Sequence, residues 1–177
     1  MLEPYTEADE TVVAAQLGRV PRGVVGVAYR CPCGKPAVLA TEPRLPDGTP
    51  FPTTYYLTCP RAVAAVSRLE SAGRMAELTD RLGGDAELAA AYRAAHLSYL
   101  LDRAAHGGGA DAPEIATVSA GGMPDRVKCL HALVAHSLAT GPGVNPIGDE
   151  AVAEIEDFWN PPCLPGWGAD LDHQDPS

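Results

Sequence analysis

The sequence predicts an α+β protein in which a small antiparallel β-meander of about three strands packs against five or six helices. Three observations point to this class. Residues 24 to 58 hold short β-branched and aromatic runs separated by turn residues. From Cys59-Pro60 onward the apolar period becomes helical. No internal repeat is visible, and 177 residues are sized for one domain with a proper core. A single domain is therefore expected over residues 1–159. The Pro/Gly/Asp-rich tail, 160–177, is expected to be disordered.

A first helix is predicted over residues 7–17, with Thr6 as cap, acids in the first turn and Gly18 as the stop. Arg19 to Gly23 is a linker. Val24 to Arg30 and Pro36 to Thr41 read as strands, and Thr53 to Thr58 as a third. Leu45-Pro46-Asp47-Gly48 supplies a turn, and the short connections favour antiparallel pairing. Pro60 suits a first helical turn, followed by Val63, Val66 and Leu69 at spacing three, with a break at Ser71-Ala72-Gly73. Met75, Leu78 and Leu82 mark the next helix, which Gly83-Gly84 ends. Asp85 caps another that runs to about Ala105. Residues 107–113 form a flexible loop. Further helices are predicted over 123–139, opening at Met123-Pro124-Asp125, and from about Asp149 to Trp159.

The formal charge of −10 excludes general affinity for nucleic acid or an anionic membrane surface, both of which need positive charge. No segment approaches the ~20 apolar residues of a bilayer span, and no secretory signal opens the chain. A cytoplasmic protein without membrane insertion is expected. In that reducing setting the five cysteines are read as metal ligands, reactive thiols or packing groups, not as disulfides.

Their placement suggests a built site. Cys31-Pro32-Cys33-Gly34 is similar to half of a zinc knuckle, although its thiols stand closer than the usual spacing. Cys59 follows a strand that the meander brings back beside the first hairpin. Cys129 and His131 open the 123–139 helix. The metal-ligand candidates are thus Cys31, Cys33, Cys59, Cys129 and His131, with zinc as the metal because the set mixes Cys with His. An iron–sulfur cluster is the alternative and would recruit Cys163. The competing reading is that these thiols only pack, as buried cysteines often do.

On that helix Asp125, Cys129, Ala132 and His136 share a face opposite Val127, Leu130, Val134 and Leu138. Cys129 and His136 lie about 10.5 Å apart along a regular axis, too far to bind one ion. The helix is therefore expected to give a metal one ligand, or two only if its first turn is distorted. Two other roles fit the segment. Gly121, Gly122, Arg126 and Lys128 could hold a small anion at the helix start. Cys129 could act as a nucleophile with His131 or His136 as base, although no orienting third group is evident. His96 is read as a packing histidine, and Asn145 as bonding the backbone ahead of the last helix.

Several motifs occur together and in order: Tyr29-Arg30-Cys31-Pro32-Cys33-Gly34, Leu45-Pro46-Asp47-Gly48-Thr49-Pro50-Phe51-Pro52-Thr53 and Leu57-Thr58-Cys59-Pro60, then Ser67-Arg68-Leu69-Glu70, Val127-Lys128-Cys129-Leu130-His131-Ala132 and Asn145-Pro146-Ile147-Gly148. Through them the chain resembles, over roughly residues 16–152, a mainly actinobacterial family known as domain of unknown function 501. The resemblance implies no activity. It does imply gene neighbours that include a septum-formation initiator protein and an exopolyphosphatase-like enzyme, hence a partner linked to cell division or the envelope. The expected function is metal binding. The alternatives are an enzyme acting on a phosphorylated or anionic small molecule, and a protein-interaction module; oligomeric state is left open.

Overall fold

The computed structural model describes residues 2–106 and 112–155. The expected tail at 160–177, Cys163, and the end of the expected last helix lie outside them. Six α-helices and three strands follow one another as α1 (Glu7–Leu17), β1 (Val24–Arg30), β2 (Pro36–Thr41), β3 (Tyr55–Leu57), α2 (Pro60–Ser71), α3 (Arg74–Gly84), α4 (Ala86–His106), α5 (Leu130–Thr140) and α6 (Pro146–Glu154). The fold is α+β, as the patterning predicts. None of the described helices is long and apolar enough to cross a membrane.

Local chemistry accounts for most boundaries. Thr6 accepts from the Asp9 amide while the Asp9 carboxylate reaches back to Thr6, a reciprocal cap, and Gly18 ends α1 at φ 68°. The strands form an antiparallel meander in the order β1-β2-β3. Every residue of β2 is buried because both faces of the sheet are covered. Leu39 meets Val13 of α1 and Val27 on one face. Val38 and Ala40 point the other way, into the main core with Leu130, Leu133 and Val134 of α5.

The outer edge of β3 is closed by a side chain. Thr54 N–H donates to the Tyr99 hydroxyl of α4 at 2.6 Å. The next residue along α4 that matters is Arg103, which is 5% exposed and has no carboxylate partner among the described residues. Its guanidinium donates to the Ile115 and Val118 carbonyls (2.8 and 2.5 Å), the Pro52 carbonyl and Thr54 Oγ1 (3.2 Å). One cation therefore ties the approach to β3 to the segment after α4.

Two expectations are corrected. The helix expected over 123–139 begins only at Leu130. Gly121 and Gly122 take φ of 66° and 93°, and the Gly121 carbonyl accepts from Lys128 N (2.7 Å), closing a loop where helical i to i+4 bonds would run. A Cβ on Gly122 would stand 2.6 Å from the Arg126 carbonyl, so no other residue fits there without rearrangement. Asp125 consequently lies outside the helix, and the supposed second face is no surface, since His136 is fully buried. The last helix begins earlier than expected, at Pro146, because Asn145 Oδ1 accepts from Gly148 N (3.0 Å) and caps it.

His136 carries a consequence for stability. The Asn145 amide nitrogen faces His136 Nδ1 at 3.2 Å, so Nδ1 accepts and the proton sits on Nε2. Among the described residues Nε2 has no hydrogen-bond partner, and Asp102 Oδ2 is 4.0 Å away. Burial lowers the His136 pKa to about 4, against the opposing pull of Asp102 and Asp149. The unfolded chain therefore binds more protons between pH 4 and the usual value near 6.5. The stability held by neutral His136 is complete above about pH 6.5 and is lost as pH falls through 4, on the order of 3 kcal/mol in all. Urea midpoints measured from pH 7 to 4 should fall accordingly. His136→Gln should flatten that slope, and an unchanged slope would contradict the assignment.

Candidate metal centre

Among the described residues, Glu70, Cys129 and His131 form a group whose potential ligand atoms all lie within 4.8 Å of one another. Each is placed by a different local feature. Glu70 stands in the last turn of α2, where a carboxylate opposes the helix dipole and needs another partner. It finds one in α5, because Leu130 N–H donates to Glu70 Oε1 at 2.7 Å. Cys129 is the residue before α5, with extended dihedrals of −155° and 109°. That extended step frees it from the helical periodicity that would turn it away from His131. The first turn thus supplies two donors, the exception allowed above for a distorted start.

The histidine is oriented at both nitrogens. Nε2 lies 3.2 Å from the Val63 carbonyl and 3.3 Å from Ser67 Oγ. Nδ1 lies 3.1 Å from Glu70 Oε1. The contact with Cys129, helped by Glu70, raises the His131 pKa to about 9 despite its partial burial. The same contact lowers the Cys129 thiol below its usual range, outweighing burial. The two shifts are reciprocal, each group favouring the charged form of the other. Cys129 and His131 also line a cleft of ≈480 Å3 between α1, β3, α2 and α5, whose polar lining is Gln16, Thr53, Thr58 and tyrosines.

The other predicted ligands lie elsewhere. Cys31 is buried at the end of β1, where its carbonyl accepts from Gly34 N in a tight turn (2.8 Å), and Cys33 is half-buried in the same turn. Cys59 is fully buried ahead of α2. All three are thiols, and none of them joins the Glu70 group. Of the anion-binding candidates, Gly121, Gly122, Arg126 and Lys128 lie in the closed loop before α5, and the first amide of that helix already serves Glu70. His136, the third catalytic candidate, is sealed in the core against Tyr55 and Tyr99. His96 bonds Ser119 Oγ at 2.8 Å.

Glu70 is the member of this group that the sequence reading missed. The available signal was an acid at the wrong end of an otherwise ordinary helix.

Comparison with curated proteins and with solved structures finds no match. A family model described as "Protein of unknown function (DUF501)" matches residues 27–153, a span that contains Glu70, Cys129 and His131. On that match, covering well over half of its length, the chain belongs to the DUF501 family.

Proposed function

We propose that this protein binds a zinc ion through Glu70, Cys129 and His131 and presents the ion to the adjoining cleft. The carrying observation is the orientation of His131. Its Nε2 faces the Val63 backbone carbonyl while Nδ1 faces the Glu70 carboxylate, and Cys129 lies within the same group. A ligating imidazole commonly donates its second N–H to a carbonyl in this way, which leaves the first nitrogen's lone pair for the metal. Three protein donors of mixed S, N and O character suit zinc, and they leave one coordination position open for water or a ligand. An iron–sulfur cluster fits less well, because the group contains a single thiol. When bound, zinc would supply Lewis acidity at the cleft floor. The chain's own part is to hold His131 through Nε2 on the Val63 carbonyl and to favour the thiolate form of Cys129.

Protein purified without a polyhistidine tag and equilibrated with zinc should retain about one ion per chain. Cys129→Ser and His131→Ala should lose it, whereas Cys33→Ser should not. Wild-type protein that retains no stoichiometric zinc would sink the reading.

A second reading uses the same residues without metal, with Cys129 as nucleophile, His131 as acid–base and Glu70 as the orienting group. The lowered thiol pKa favours it. It would show as absent zinc together with rapid alkylation of Cys129 by iodoacetamide at pH 6.

A further inference from the structure

The metal-side cleft has no Lys or Arg in its lining, but it does not end there. A second hollow of ≈210 Å3 shares Leu17 and Tyr56 with it and is walled at the far side by Arg19, Pro21, Arg22 and Phe51. The two hollows adjoin at Leu17 and Tyr56, with Cys129 and His131 lining one and Arg19 and Arg22 the other.

The arginine end is a built feature. Gly18 ends α1 in the left-handed conformation and turns the chain across the sheet. The Gly23 carbonyl then accepts from Glu42 N at 2.8 Å, pinning the linker to the end of β2. The other arginines near acids are engaged: Arg30 with Glu3 and Asp9, Arg44 with Glu114, Arg74 and Arg81 with Glu150. Among the described residues Arg19 and Arg22 make no ion pair or hydrogen bond. Arg22 meets the exposed Asp47 only through its field. What sets Arg19 and Arg22 apart from other exposed arginines is that both line one hollow beside Leu17, Phe51 and Tyr56.

We infer that the adjoining hollows bind an amphiphilic oxyanion. Its carboxylate or phosphate monoester docks on Arg19 and Arg22, and its apolar body runs over Leu17, Phe51 and Tyr56. Its uncharged end then reaches the Cys129–His131–Glu70 group. Guanidinium groups match both oxyanions through paired N–H donors, and the aromatic wall offers contact area to the body. Only the placement of the uncharged end rests on the metal-site proposal. The arginine anchor stands independently of it.

The test titrates full-length protein, zinc-loaded and metal-free, with 6-phenylhexanoate, 6-phenylhexyl phosphate, 6-phenylhexanol and inorganic phosphate. Binding is followed by NMR at the Arg19 and Arg22 Nε–H and the Tyr56 amide. At least one of the two amphiphilic anions should bind about tenfold or more tightly than the alcohol and than inorganic phosphate, in both forms of the protein. Whichever anion binds better identifies the headgroup. Arg19→Ala/Arg22→Ala changes only exposed side chains and should abolish the preference over the alcohol. Equal binding of anion and alcohol, equal binding of inorganic phosphate, or a preference that survives the double substitution would each overturn the inference. An anion preference found only with zinc and insensitive to the arginines would do the same, since the anion would then sit on the metal. Retained preference in a protein that takes up no zinc would support the anchor and remove the metal centre alone.

Discussion

Glu70→Gln is expected to lower zinc affinity by at least about a hundredfold while leaving the fold cooperative, the scale seen when even supporting groups of a zinc site are removed. The amide keeps the size of the side chain and one oxygen for Leu130 N–H, so α5 keeps its N-terminal partner. What disappears is the anionic donor and its field on His131, 3.1 Å away. Glu70→Ala removes the cap as well and should add about 1 kcal/mol of destabilisation to the same loss of metal. Competition with a chromophoric chelator measures the first effect, and urea unfolding of the metal-free variants the second. A Gln variant that holds zinc as tightly as wild type would remove Glu70 from the ligand set.

Arg103→Met should destabilise the protein by about 2 kcal/mol, because part-buried acceptors are left unpaired. The Pro52 and Val118 carbonyls lose the guanidinium, whereas the Ile115 carbonyl keeps a bond from Val118 N at 3.0 Å. An opposing effect exists: burial lowers the Arg103 pKa, so a desolvated cation is removed too. The orphaned carbonyls outweigh it, since methionine offers no donor and solvent reaches these part-buried acceptors only incompletely. Arg103→Lys, with one point-like head in place of a planar fork, should recover part of the loss. Urea denaturation at pH 7 decides the matter, and a Met variant within 0.5 kcal/mol of wild type, the usual scatter of neutral surface changes, would contradict the role assigned to these bonds.

The parts of the fold legible in the sequence are those set by local chemistry. Thr6 and Gly18 bracket α1, the β-branched runs give β1 and β2, and Pro60, Gly73 and Asp85 punctuate the helices after the sheet. The start of α5 was not legible, because apolar spacing continues through Val127 while the backbone is closed by Gly121 and Lys128. That one boundary also governs the site. With Cys129 placed inside a helix, it points away from His131. With Cys129 extended ahead of the helix, the two meet. Glu70 is separated from Leu130 by 60 positions, so its role depends on how α2 and α5 dock, which no local pattern encodes. Cys31, Cys33 and Cys59 share the residue type of Cys129 but stand in a tight turn and in the core, outside the Glu70 group.

The wall of the second hollow that includes Leu17, Arg19 and Arg22 lies before residue 27, where the family match begins, whereas Glu70, Cys129 and His131 lie within it. Inheritance can therefore act on the two hollows separately. On the proposed reading, the arginines that would select a ligand and the residues that would hold the metal stand on separate segments and can be substituted independently. Divergence in ligand across such a family would then be written first in the α1–β1 connection, and only later, if at all, in the chemistry.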